Sequence, residues 1–279
     1  MAALVAAVAV WLAGWGLNAW LARRGRGGGL RLLPPLVFGV TLLLVWELVV
    51  RGLAISPVLL PAPSAIAARI GSSGPTLRLD VMQTFVKGAL SGYAIGCGAA
   101  MLVAVAVDRL PFLRRGLLPV GNLVAALPVI GMAPIMVMWF GFDWQSKAAV
   151  VVLMVFFPVL VNTVQGLLAA EPMQADLMRT YAASYRQTLL KLRLPAAAPF
   201  VFNGLKIATT LALIGAIVAE FFGSPTVGMG FRISTEVGRL SLDMVWAEIA
   251  VAAVVGSVFY GAVALVERAA TFWHPSQRR

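Results

Sequence analysis

Asp176–Pro199 reads DLMRTYAASYRQTLLKLRLPAAAP, the one polar, basic stretch of real length in an otherwise apolar chain. Arg179, Arg186, Lys191 and Arg193 stand against a single acid, Asp176. Leu177, Met178, Tyr181, Leu189, Leu190, Leu192 and Leu194 recur at steps of about three and four residues, the period of an amphipathic helix. Ala182, Ala183 and Ser184 read as a break between two short helices. Pro195 is expected to stop the second, because it lacks an amide donor and clashes with the preceding turn. Long apolar runs flank the segment on both sides. A charged helical hairpin between two membrane spans implies an all-α, polytopic membrane helix bundle with one loop offered to water.

Composition agrees. The 279 residues are 61% hydrophobic and 12% charged, with a mean hydropathy of +0.91, whereas soluble domains carry about 25% charged residues. A net charge of +11 would suit a nucleic-acid partner, but the basic residues are spread between apolar runs, and the positive-inside rule accounts for them better. Cys97 is the single cysteine and His274 the single histidine. One chain therefore builds neither a disulfide framework nor a Cys/His metal site. No Gly-x-x-x-x-Gly-Lys-Ser/Thr run occurs, so the chain does not cradle ATP phosphates by that route.

Residues 1–31 form an extra N-terminal span and a basic, Gly-rich linker carrying Arg23, Arg24 and Arg26. The charge follows the apolar core instead of preceding it, which reads as a true span with its N-terminus outside; a signal anchor is the alternative. Residues 32–279 hold six core spans, expected near 32–50, 84–107, 117–140, 146–168, 200–222 and 242–266. A short interfacial helix over 76–83 leads into the second of these. That span carries Gly88, Gly92, Gly96 and Ala100 at intervals of four, a packing seam that lets two backbones approach closely in lipid. The 117–140 span is interrupted by Pro119, Gly121, Pro128, Gly131 and Pro134, and so must face protein or a cavity, where freed backbone groups find partners.

Asp176-Leu177-Met178, Ala182 and Leu192-Arg193-Leu194-Pro195 resemble the cytoplasmic loop of ABC-importer permeases. Its pattern is E-A-A, three residues, Gly, nine residues, then I-x-L-P. Two of the three E-A-A residues are bulkier here, and Ala182 replaces the Gly, which implies another turn geometry. Trp46-Glu47 followed by Leu60-Pro61-Ala62-Pro63-Ser64, the string LPVIGMAPIMVMWFGFDWQSKA, Phe156-Phe157-Pro158 with Asn162-Thr163, and Gly228-Met229-Gly230 extend the resemblance over about residues 40–270. They are similar to permeases for nitrate, sulfonates, taurine, riboflavin and pyrimidine-type thiamine precursors.

The resemblance implies a permease domain over 32–279 whose loop, 170–199, docks on a separate ATPase subunit through Asp176, Arg179, Ala182, Ser184, Arg186, Leu194 and Pro195. It implies no cofactor in this chain, ATP and Mg being held by the ATPase. It also implies an extracytoplasmic binding protein, a second permease copy as dimer partner, and a place in the bacterial inner membrane. The solute favoured is riboflavin or a hydroxymethylpyrimidine-like compound.

The residues offer no nucleophile–base pair and no metal cluster, so a membrane enzyme is not indicated. Acids fall near span ends, where water is expected to reach them, and this counts against a proton-driven transporter. A secondary transporter or channel without an ATPase remains the alternative. Candidates for the translocation path are Pro128, Met132, Phe156, Phe157, Asn162 and Glu220. Against this, Phe156 and Phe157 could simply pack, Asn162 and Asn203 could hydrogen-bond between helices, and Glu220 could be a solvated helix end.

With the hairpin placed inside, most of the basic residues fall on the same side: Arg23 to Arg31, Arg109 to Arg115, Arg179 to Lys206, and Arg268 onward. In a Cys97→Ala background, single cysteines at Ser184 and Ser276 are expected to resist an impermeant maleimide added to intact cells. Labelling of either from outside would reverse the topology.

Overall fold

The computed structural model describes residues 2–24, 32–110, 112–113, 115–116 and 128–273. The linker 25–31, residues 117–127 with Pro119 and Gly121, and the tail with His274 and Ser276 lie outside the described residues. Among the described residues ten helices follow in order: α1 (Ala2–Arg24), α2 (Leu33–Gly52), α3 (Pro63–Ser72), α4 (Gly74–Arg109), α5 (Ala133–Phe140), α6 (Trp144–Leu168), α7 (Pro172–Thr180), α8 (Tyr185–Phe221), α9 (Met229–Gly238) and α10 (Leu242–Ala270). No strand occurs among the described residues, so the chain is all-α as expected. Among the described residues six helices (α1, α2, α4, α6, α8 and α10) are long and apolar enough to cross a membrane. Of the expected 117–140 span, only a turn over Val129–Met132 and helix α5 are described.

Two expected boundaries are corrected. The helix foreseen over 76–83 is not separate: α4 runs unbroken from Gly74 to Arg109, with π geometry over Met82–Leu90. Pro195 does not end a helix either. It occupies the first turn after a π segment, Leu189–Arg193, in which the Leu194 N–H reaches back to the Leu189 carbonyl. This wider turn takes up the missing proline donor, and α8 continues to Phe221.

Contacts divide the chain into residues 1–77 with 233–250, and residues 78–232 with 251–279. In the first unit α1 packs on α2, with Gly14 against Thr41 and Gly52 against Ala3 so closely that a side chain at either glycine would collide. The Glu47 carboxylate accepts from the Ser64 N–H (3.0 Å) and hydroxyl (2.7 Å). It thereby caps the first turn of α3, whose own N-cap residue, Ala62, has no side-chain acceptor. Trp46 meets Trp246 edge to face, with centroids 5.0 Å apart. The Trp-Glu and Pro-Ser strings thus build one corner.

The second unit is organised around α6. Its Val151, Val155, Val159, Leu160 and Val164 are buried against Ala89, Cys97, Ala100 and Ala104 of α4 and Ala197, Ala208, Ala212 and Ala216 of α8. Small residues on both neighbours admit stiff, β-branched side chains from the centre. A Cβ built on Gly92 would stand 2.7 Å from the Ala148 carbonyl oxygen and 2.6 Å from the Val151 Cβ, and one on Gly96 3.1 Å from the Val152 Cα. On the other side Gly166 lies against Ala197 and Phe200, and Gly204 against Asn162. Gly92→Leu should therefore sharply reduce folded protein while leaving insertion intact. Gly92→Ala should cost about 1–3 kcal/mol, the usual range for overpacking. Gly98→Ala, with no atom within 4 Å, is the neutral control. Melting of the purified variants in detergent measures all three.

Candidate functional site

The hairpin forms where the sequence broke. α7 stops because the chain turns left-handed at Ala182, φ 50°. The Ala183 N–H bonds the Met178 carbonyl (2.9 Å) and the Ala182 N–H the Arg179 carbonyl (2.8 Å). These two bonds are the Schellman pattern, in which glycine usually takes the position Ala182 holds. The expectation of a different turn geometry is thus corrected: alanine adopts the strained conformation. α8 then starts with a capping box, the Ser184 hydroxyl accepting from the Gln187 N–H while the Gln187 side chain accepts from the Ser184 N–H at 2.8 Å.

The two arms of the hairpin differ mechanically. α7 has no buried residue. Met173, Leu177 and Tyr181, spaced four apart on one face, are 81%, 55% and 76% exposed. Asp176 and Arg179 pair at 3.0 Å, both exposed, and such a surface pair contributes about 0–1 kcal/mol. Arg186 is also exposed. The arm from Tyr185 onward is anchored instead: Leu189 is buried in the main core, with Tyr185 and Leu194 packed against it, and Pro195 is half-buried. Composition found the loop and the helical period took in Leu177 and Tyr181, but Met173, which extends their stripe by a turn, was missed because it precedes the basic stretch that starts at Asp176.

Anchoring also depends on a residue the sequence reading passed over. Asp108, at the end of α4, is nearly buried and accepts from Arg193 Nη1 at 2.5 and 2.7 Å and from the Tyr185 hydroxyl at 2.9 Å. Its only signal was being the one acid in the basic stretch Asp108–Arg115, DRLPFLRR.

The path candidates do not converge. Pro128 is exposed, its carbonyl accepting from the Gly131 N–H at 2.7 Å. Met132 packs on Ala133, Met136, Val150 and Ala219. Phe156 and Phe157 stack edge to face, 5.0 Å between centroids, half-buried at the main core. The Asn162 amide donates to the Pro158 carbonyl (2.8 Å) and accepts from the Asn203 amide (3.1 Å), with Asn203 exposed.

Glu220 is not a solvated helix end. It is 2% exposed and belongs to a set of side chains that holds the Gly228-Met229-Gly230 turn opening α9. The Gly228 N–H donates to Asp80, the Met229 N–H to the Thr84 hydroxyl and the Gly230 N–H to Glu220, each at 2.7 Å. Thr84 in turn donates to Glu220 at 2.8 Å, and Arg232 pairs with Asp80 at 2.9 Å. Two carboxylates thus sit on the unsatisfied N–H groups and positive end of a helix. Gly228 has φ 131°, and a side chain at Gly230 would strike the Ile217 carbonyl. Lys147 is buried too, donating to the Phe142 carbonyl at 2.6 Å, within electrostatic reach of Glu220. The expectation that acids at span ends meet water is corrected by Asp80 and Glu220, both buried. Asp143, just outside α6, caps it, and a hydrogen bond from Gln83, then one from the Trp144 N–H, hold its carboxyl below the usual range.

A multi-pass bundle presenting a free amphipathic helix beside an anchored one has the form of a membrane transport permease. The family described as "Binding-protein-dependent transport system inner membrane component" matches residues 92–271, and the chain belongs to it. The protein is accordingly a multi-pass inner-membrane permease. It is 32% identical to a Haemophilus influenzae "Probable ABC transporter permease protein", over 78% of this chain and 88% of that one. It is 31% identical to the formylaminopyrimidine transport permease protein of Halalkalibacterium halodurans, over 88% and 97%. With the riboflavin transport system permease protein of Chloroflexus aurantiacus it shares 28% identity over 87% and 92%.

Since left-handed backbone disfavours alanine by roughly 1–2 kcal/mol and glycine relieves this, Ala182→Gly should slow amide exchange across 181–184 by about fivefold or more. Unchanged or faster exchange would mean that the turn is not strained.

Proposed function

We propose that this chain is the transmembrane subunit of an ATP-driven importer, and that α7 is the helix its ATPase grips. The observation that carries this reading is the Met173–Leu177–Tyr181 stripe. A nine-residue helix is too short to be stable alone in water, and this one buries no face within the chain. Its three large apolar side chains would each contribute about 1.5–3 kcal/mol on burial in a groove. Arg179 beside them supplies charge complementarity. ATP and Mg belong to that ATPase, which drives the cycle, and a second permease copy completes the transmembrane unit. Loop 170–199 and the tail face the cytoplasm. A binding protein delivers the solute on the opposite side.

The solute we propose is a flat nitrogen heterocycle, a pyrimidine-type thiamine precursor or riboflavin. Full-length similarity to the formylaminopyrimidine permease supports it. So does the Asn162–Asn203 pair, which offers hydrogen bonds without charge; sulfonates, taurine or nitrate would be expected to call for a cation there.

Reconstitution with the ATPase and binding protein, following uptake and ATP turnover together, tests both parts. Leu177→Asp and Arg179→Glu should insert and melt as wild type, an exposed change normally staying within about 0.5 kcal/mol, yet lose the ATPase or its stimulation by substrate. Wild-type turnover in both would remove α7 from the dock. Uptake without any ATPase would overturn the importer reading, and stimulation by taurine but not by pyrimidines would overturn the substrate.

A further inference from the structure

We propose that Asp108 is the positioning residue that hands movement of the hairpin to α4, so that without its carboxylate ATP hydrolysis and solute movement come apart. This rests on the importer reading above.

The hairpin touches the rest of its unit through its second arm. That arm is seated in two ways. Leu189 and the Tyr185 ring pack on the core, and such contacts are non-directional: an apolar side chain can slide over its neighbours while burying the same area. The Asp108 contacts are directional. One guanidinium nitrogen of Arg193 addresses both carboxylate oxygens, at 2.5 and 2.7 Å, and the Tyr185 hydroxyl reaches one of them at 2.9 Å. Charge-assisted hydrogen bonds of this kind are short and intolerant of misalignment.

Tyr185 and Arg193 stand at the two ends of the segment that contains the π turn Leu189–Arg193. A single carboxylate therefore clasps the arm across its irregular stretch. The Arg109 guanidinium lies over the Tyr185 ring, 5.7 Å from its centroid, and adds a second hold from the same helix end.

The burial pattern makes the clasp suited to transmission. The Asp108 side chain is 2% exposed, whereas that of Arg193 is 31% exposed. The carboxylate is fixed to α4 at the base of the seam formed by Gly92, Gly96, Ala100 and Ala104. Arg193 and Tyr185 ride on α8. A displacement of the arm must either carry α4 with it or break the clasp. For two sites to be coupled, an element between them must differ in its contacts between two states, and an ion pair between a buried carboxylate on one helix and a part-exposed guanidinium on another can close in one state and open in the other. α7, which has no buried residue, can meet its partner whether or not the clasp is closed. Binding and transmission are thereby separable.

The test uses the full chain assembled with its ATPase and binding protein in proteoliposomes. It compares wild type with Asp108→Asn and Tyr185→Phe, substitutions that keep volume and remove charge or one hydroxyl. Three quantities are read: ATPase retained on purification, melting temperature, and solute taken up per ATP hydrolysed. Asp108→Asn is expected to retain the ATPase and melt as wild type, because Arg193 has access to water. Uptake per ATP should fall by about fivefold or more, the lower end of typical coupling between sites. Tyr185→Phe should lower the same ratio by a smaller factor. An unchanged ratio in Asp108→Asn overturns the assignment. If Asp108→Asn fails to assemble, Tyr185→Phe decides: a lowered ratio in an intact complex supports the clasp, and a wild-type ratio overturns it. A wild-type chain that retains no ATPase, or that transports without one, marks failure of the importer reading instead.

Discussion

The second unit depends on how closely α6 can be approached from two sides. In a bilayer, apolar surface gains little by leaving lipid for protein, so helices associate through dispersion at short range and through hydrogen bonds. Backbone contact supplies that range. α4 offers Gly92, Gly96 and Ala100, α8 offers Gly204, Ala208 and Ala212, and the valines of α6 fill the space between. A rigid central helix gripped along its length gives the span ends fixed positions, and those ends carry the chemistry.

At both ends of this unit the same device recurs: a buried carboxylate holding a segment of another helix. Asp80 and Glu220 bind the N–H groups that open α9, and Asp108 binds Tyr185 and Arg193. A buried charge is tolerated only where paired and hydrogen-bonded, so each carboxylate fixes its partners as firmly as they satisfy it. One set holds a glycine turn, where no side chain would fit. The other holds the anchored arm of the loop, leaving α7 free.

Elements governed by local chemistry were legible in the sequence. The Ala182–Ser184 break, the Gly92–Gly96 seam and the spans with long hydropathic runs are read from a few neighbouring residues. The second seam was not, because alanine is the commonest helix former and a row of alanines on α8 carries no contrast with its surroundings. Continuity through Met82–Leu90 and past Pro195 was missed since a π turn leaves no compositional mark. Burial of Asp80, Glu220 and Asp108 could not be read either, their partners lying 148, 136 and 85 residues away. Ala182 misled for another reason: residue type suggested relief of a strained turn, whereas the bonds to Met178 and Arg179 impose it.

The π segment of α4 also solves a problem of winding. Asp80, Thr84, Gly88, Gly92, Gly96, Ala100 and Ala104 recur every fourth residue. On a regular helix each such step overshoots a 3.6-residue turn by about 40°, and over the whole row the stripe would wind roughly 240° around the axis. The wider turn over Met82–Leu90 takes back about one residue of rotation. About 140° then remains between Asp80 and Ala104, so that Asp80 and Thr84 meet the turn opening α9 while Gly92 and Gly96 meet α6. Spacing that looks uniform in the sequence is, in three dimensions, two stripes, one polar and one of small residues, that meet at an irregular stretch of nine residues.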